Sequence, residues 1–182
     1  TKIQLHLDHL TPTDRSANFI AISADGSKIF SGNRQNRLES WDTATGQLVQ
    51  EFDPFHTNKI TAVRIAPDGK QLFSAGYDGK IAVWNMETGN IISQIFLADF
   101  PLHALAISPD GNTIASGGQG NKFYLHNTKT GKLIYSGDGH LDWINSIDFD
   151  PSGKVLATAS DDHTIRLWDT ATGRFLSTLK GH

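Results

Sequence analysis

The fold is decided by the stretch from His140 to His182, which reads HLDWINSIDFDPSGKVLATASDDHTIRLWDTATGRFLSTLKGH. Short runs rich in β-branched and aromatic residues alternate there with the turn-forming clusters Pro-Ser-Gly, Asp-Asp-His and Thr-Ala-Thr-Gly. This alternation is typical of strands joined by tight hairpins. The runs predict four strands, at residues 144–149, 155–159, 164–168 and 174–179. The stretch therefore predicts a four-stranded antiparallel meander.

The same pattern occurs three more times upstream, because three pairs of residues recur in one register. The first pair is the turn Asp25-Gly26, Asp68-Gly69, Asp110-Gly111 and Ser152-Gly153, at intervals of 43, 42 and 42 residues. The second is Trp41-Asp42, Trp84-Asn85, His126-Asn127 and Trp168-Asp169. The third is Thr45-Gly46, Thr88-Gly89, Thr130-Gly131 and Thr172-Gly173. Three markers with one period indicate four internal repeats.

The composition excludes several classes of protein. Of the 182 residues, 38% are hydrophobic and 19% are charged, which is typical of a globular chain and not of a disordered one. The net charge of -3 and the scattered Lys and Arg argue against a nucleic-acid partner. The absence of cysteine excludes disulfides, thiolate zinc sites and cysteine nucleophiles. No apolar run is long enough to insert into a membrane, and we expect a cytoplasmic location.

Four strands in about 42 residues, with an Asp-Gly turn, a Gly-His pair and a Trp-Asp pair, closely resemble the WD-repeat family. The resemblance extends from about Phe19 to His182. It implies an all-β fold, a β-propeller of WD-type four-stranded blades, with four repeats in this chain. Residues 1–182 would then form a single propeller domain or part of one. Its expected segments are an extra outer strand at 1–10 and blades at about 11–53, 54–97, 98–138 and 139–182.

The extra strand at 1–10 leaves the closure of the ring open. WD propellers usually close when an N-terminal strand completes the last blade, and seven blades are common. Here each of the four repeats already has its own fourth strand, so the N-terminal strand has no blade to complete. Either missing repeats complete a larger ring, or a second copy of the chain closes an eight-bladed ring. A stand-alone four-bladed ring is the third alternative.

A His, a hydroxyl and an acid near the C-terminus have the composition of a catalytic triad, but the resemblance implies a structural role. In WD repeats, a His of the Gly-His loop, a Ser on the second strand, the Asp of the next turn and a Trp on the third strand form one hydrogen-bond network. The fourth repeat matches it with His140, Ser160, Asp162 and Trp168. The second repeat matches it in part, with His56, Asp78 and Trp84 but with Gly76 in place of the Ser.

The first and third repeats depart further from this network. The first has Thr13, Asn33 and Gln35 before Trp41, and the third has Ala98, Gly118 and Gly120 before His126. On this comparison only the fourth repeat carries the full network. We expect the first and third repeats to be less rigid or to be held by other contacts.

The resemblance also implies a partner-binding face, because contacts in WD-repeat proteins lie mostly at the start of the first strand and just before the turn Asp. The candidate residues are Arg34, Lys59, Tyr77, His103, Gln119, Trp143, Asn145 and Asp161, with Ser16, Asn18, Thr61 and Pro101 at the other equivalent positions. Trp143, Tyr77 and Arg34 matter most, because these residue types dominate binding hot spots. The alternative for Trp143 is packing between neighbouring blades.

These features predict a non-enzymatic scaffold that binds protein or peptide partners through one face and its rim. We expect no catalytic residues, no cofactor and no metal site. The alternatives are a propeller enzyme or small-molecule binder that uses the central channel, and a structural or regulatory repeat region of a larger multidomain protein.

Overall fold

A computed structural model describes residues 17–33, 36–97 and 99–181, and the described residues form four antiparallel sheets of four strands each. Sheet 1 contains β1 (Ala17–Ile22), β2 (Lys28–Asn33), β3 (Leu38–Asp42) and β4 (Leu48–Glu51). Sheet 2 contains β5 (Ile60–Ile65), β6 (Gln71–Gly76), β7 (Lys80–Asn85) and β8 (Ile91–Phe96). Sheet 3 contains β9 (Leu102–Ile107), β10 (Thr113–Gly118), β11 (Phe123–Asn127) and β12 (Leu133–Gly137). Sheet 4 contains β13 (Ile144–Phe149), β14 (Val155–Ser160), β15 (Thr164–Asp169) and β16 (Phe175–Lys180).

Each sheet is a meander in which strands adjacent in sequence are hydrogen-bonded neighbours. This order confirms the four repeats of four strands. The turn between the first two strands depends on a glycine with positive φ, for example 69° at Gly69, a conformation that costs glycine little. The strand predicted at residues 1–10 lies outside the described residues.

Apolar side chains between neighbouring sheets form the core. Phe30 and Leu38 of sheet 1 pack with Leu72 and Trp84 of sheet 2. Similar clusters join sheet 2 to sheet 3 and sheet 3 to sheet 4. Because side chains alternate across a strand, each sheet has a rear face toward the preceding sheet and a front face toward the next one.

The first strands of the four sheets pack side by side in the order β1, β5, β9, β13. Among the described residues, β13 does not pack comparably against β1. The rear face of sheet 1 is correspondingly exposed: Ile20 is 56% accessible, whereas its equivalent Val63 in sheet 2 is fully buried. The front face of sheet 4 is also open, with Ile165 and Leu167 only half-buried. The described sheets therefore form an open series with an apolar face at each end.

Candidate functional site

A hydrogen-bond network links the loop before sheet 4 to the interior of that sheet. His140 Nδ1 lies 2.8 Å from Asp162 Oδ2, and His140 Nε2 lies 2.7 Å from Thr158 Oγ1. Trp168 Nε1 donates to the same Thr158 hydroxyl at 2.9 Å. A His140 tautomer with its proton on Nδ1 satisfies all three contacts, because it donates to the carboxylate and accepts from the hydroxyl.

Sheet 2 contains the same network, with Ser74 as the hydroxyl. His56 Nδ1 lies 3.0 Å from Asp78 Oδ1, and His56 Nε2 lies 2.7 Å from Ser74 Oγ. Trp84 Nε1 donates to Ser74 Oγ at 2.9 Å. The full network is therefore present in two sheets, and the expectation that only the fourth repeat carries it was wrong.

The choice of Ser160 as the network hydroxyl was also wrong. Ser160 Oγ donates instead to the carbonyl oxygen of Asp142 at 2.9 Å and accepts from the backbone N–H of Asp162. Residues two apart on a strand point to the same side, so Thr158 and Ser160 share a side, but only Thr158 is near the indole of Trp168. The repeat period would have identified the correct position, because a hydroxyl recurs there in every repeat, as Ser31, Ser74, Ser116 and Thr158.

This network does not support acyl transfer. Thr158 and Ser74 are fully buried, so no substrate carbonyl can approach either hydroxyl in this conformation. Each hydroxyl also accepts a hydrogen bond from an indole N–H. The arrangement satisfies polar groups that would otherwise be buried without partners, which is a contribution to stability.

The carboxylates of the network are held ionised. Burial raises the pKa of Asp162, but hydrogen bonds from the Thr164 hydroxyl and the backbone N–H of Leu141 outweigh it, and the net pKa is well below the usual range. Burial likewise opposes ionisation of Asp78, and its interactions with His56 lower the pKa below the ordinary value. The native state therefore favours the charged form of both carboxyl groups.

Among the described residues, sheets 1 and 3 show only parts of the network. Trp41 Nε1 donates to Ser31 Oγ at 3.2 Å in sheet 1. In sheet 3, Ser116 Oγ and His126 Nδ1 are buried and have no hydrogen-bond partner among the described residues. Burial lowers the pKa of His126 and so favours its neutral form. The expected substitutes Thr13, Gln35 and Ala98 lie outside the described residues.

A second cluster is a row of side chains that crosses sheets 2, 3 and 4 at the edge where their first strands begin and their second strands end. Lys59 Nζ lies 3.6 Å from the centroid of the Tyr77 ring. The Tyr77 ring is 5.2 Å from the ring of His103, which is 5.6 Å from that of Trp143. We call Lys59, Tyr77, His103 and Trp143 the aromatic row. All four were candidates for the partner-binding face, and the structure brings them together.

The aromatic row ends beside a carboxylate. Asp161 lies in the turn after β14, where its backbone N–H donates to the carbonyl oxygen of Trp143 at 3.0 Å. Asn145 Nδ2 donates to Asp161 Oδ1. Burial and the nearby charge of Lys59 lower the pKa of His103, while Asp161 opposes this effect. The His103 ring is therefore predominantly neutral at pH 7.

The position of Trp143 is compatible with both of the roles that the sequence left open. Its ring packs against His103 of the neighbouring sheet, yet 41% of the residue is exposed. A partly exposed indole that packs against a neighbouring ring can hold its position and still contact a partner.

The other candidate positions are less well placed or lie outside the described residues. Gln119 is half-buried and is tied to Pro101 by a backbone hydrogen bond. Thr61 is buried and donates its hydroxyl proton to the carbonyl oxygen of Ala75. Arg34 and Ser16 lie outside the described residues, as does the side chain of Asn18.

Within the described part of the chain, no three His, Asp or Glu side chains lie close enough together to hold a metal ion. The described residues also contain no helix that is long and apolar enough to cross a membrane.

A protein-family model matches three segments of the chain. The model of the "WD domain, G-beta repeat" matches residues 46–85, 95–127 and 131–169, more than half of the chain. The matched segments include the aromatic residues Trp84, Trp143 and Trp168. No curated protein matches the sequence.

Proposed function

Because the chain belongs to the WD-repeat family, we propose that it is a non-enzymatic scaffold that presents one face and its rim to protein or peptide partners. WD repeats generally serve in protein–protein interactions. Within this general role, the proposal assigns the binding surface to the aromatic row and to the polar residues Asn145 and Asp161 beside it.

The observation that carries the proposal is the position of the aromatic row outside the core. The large buried side chains Trp84 and Trp168 belong to the packing between sheets. Tyr77 and Trp143 belong to none of the three core clusters and keep part of their surface open. Tyr and Trp side chains on a rigid sheet end are the residues that most often dominate binding energy.

We propose further that the four sheets are blades of a β-propeller whose ring is completed by other blades. The support is the similarity between the open end faces and the packed ones. The front face of sheet 4 carries Ile165 and Leu167 where sheet 3 buries Phe123 and Leu125. The completing blades come either from missing repeats or from a second copy of the chain. Sedimentation equilibrium of the purified chain separates these sources, because a second copy doubles the mass.

Paired substitutions test the scaffold proposal. Tyr77→Ala and Trp143→Ala should each weaken the binding of peptides selected on the wild-type chain. Leu141→Ala is the matched control, since Leu141 is 83% exposed and lies outside the aromatic row. Equal binding by the two row variants and the control would refute the proposed surface.

We also propose the cytoplasm as the compartment, which microscopy of a fluorescent fusion would test.

A further inference from the structure

The two ends of the aromatic row carry opposite charges. Lys59 lies over Tyr77 at the end formed by sheet 2, and Asp161 lies beside Trp143 at the end formed by sheet 4. Neither side chain forms an ion pair within the described part of the chain. His103, between them, is predominantly neutral because burial and Lys59 lower its pKa. The row is therefore an aromatic surface with one positive and one negative end.

The negative end is open to solvent. Asp161 and Asn145 are both exposed, and Asn145 donates to only one carboxylate oxygen, Oδ1. The Oδ2 atom of Asp161 has no hydrogen-bond partner among the described residues. Asp142, next to Trp143 in sequence, is a second exposed carboxylate at this end. An incoming group therefore meets an indole surface and negative charge together.

This combination of groups selects a planar cation. A guanidinium group can lie flat on an aromatic face and donate in-plane hydrogen bonds to a carboxylate, whereas an ammonium group has no plane to stack. A carboxylate ligand would be repelled by the negative charge of Asp161. Lys59 disfavours a cation at the opposite end of the row, so the charges also fix the direction of a bound segment.

We propose that the Trp143–Asp161 end of the aromatic row binds an arginine side chain of a partner segment. The guanidinium stacks on the open side of the Trp143 indole and donates to Asp161 Oδ2. The rest of the segment follows the row toward Tyr77 and Lys59. This inference rests on the proposed scaffold function and specifies the chemistry of the partner.

The test begins with short random peptides displayed on phage and selected on the purified chain. Arginine should be enriched at one position of the selected peptides. One selected peptide is then synthesised with arginine and with citrulline, its uncharged counterpart, and binding is measured by calorimetry. The citrulline peptide should bind about tenfold more weakly than the arginine peptide, as expected for the loss of a charge-assisted hydrogen bond.

The pairing with Asp161 is tested by a double-mutant comparison. On the Asp161→Asn variant, the arginine and citrulline peptides should bind with nearly equal affinity, because the partner charge is gone. Asp53→Asn is the matched control: it removes the same charge from an exposed position between β4 and β5 and should preserve the difference between the peptides.

The failure of this inference is distinguishable from the failure of the scaffold proposal. Selected peptides that need Tyr77 and Trp143 but tolerate citrulline would overturn the arginine site and leave the binding surface in place. Selected peptides that bind the Tyr77→Ala and Trp143→Ala variants as well as the wild type would overturn both.

Discussion

Replacing Thr158 with valine should destabilise the chain strongly, because one hydroxyl satisfies two buried groups. Valine keeps the shape of threonine but removes the oxygen that contacts His140 Nε2 and Trp168 Nε1. Each group left buried without a partner costs about 1–3 kcal/mol. The free energy of unfolding should therefore fall by about 2–6 kcal/mol, a large part of the total for a domain. Urea denaturation followed by circular dichroism measures this change.

Ser160→Ala is the matched control. Ser160 is half-buried and donates one hydrogen bond, to the carbonyl oxygen of Asp142, which water can replace. Its loss should cost about 0.5–1.5 kcal/mol. A larger loss of stability for Ser160→Ala than for Thr158→Val would refute the assignment of Thr158 as the network hydroxyl.

Three further predictions concern acid, the aromatic residues and the open end. The free energy of unfolding should decline as the pH falls below the unfolded carboxyl pKa of about 3.9. The reason is that the pKa of Asp162 is lowered in the native state, so this carboxyl group stabilises the fold only while it is charged. Acid titration of Asp162→Asn should show a smaller decline. Trp168→Ala should lower the free energy of unfolding by about 3–5 kcal/mol. Tyr77→Ala, at a half-buried position, should lower it by about 1 kcal/mol or less and should mainly weaken peptide binding. Thermal melts that rank the two variants in the opposite order of stability, or calorimetry that shows unchanged peptide binding by Tyr77→Ala, would contradict the two roles. If a second copy closes the ring, Ile20→Lys should halve the mass measured by sedimentation, because it places a charge on the exposed rear face of sheet 1. Leu141→Lys is the control. A dimer that persists in the Ile20→Lys variant would contradict closure through the rear face of sheet 1.

The repeat pattern was sufficient to predict the order and pairing of the sixteen described strands. Each turn marker fixes where one hairpin ends, and the constant period places equivalent residues at equivalent positions of successive sheets. The candidate face residues Lys59, Tyr77, His103 and Trp143 could be assigned on this basis. Their ring distances could not, because these depend on how each sheet is rotated against the next.

Within a single repeat the sequence does not identify the network hydroxyl, although comparison of the four repeats does, because a hydroxyl recurs at the position of Thr158 in each of them. Thr158 and Ser160 lie on the same side of β14, and they precede Asp162 by four and two residues. The choice depends on where the Trp168 indole reaches across the sheet, which strand periodicity does not specify. Trp168 pairs with Leu156 in the ladder, and its indole extends diagonally to Thr158.

The serial packing of the four sheets has a consequence for local unfolding. Sheets 2 and 3 each pack against a neighbour on both faces, whereas sheets 1 and 4 have one packed neighbour among the described residues. In such arrays stability propagates through nearest-neighbour contacts. Sheet 3 shows no complete His–Asp network among the described residues, but it packs against sheet 2 and sheet 4 through apolar clusters. In the isolated chain, amide hydrogens should therefore exchange with deuterium fastest in β1 and β16 and slowest in β6 and β10, because local unfolding is easiest in the two end sheets.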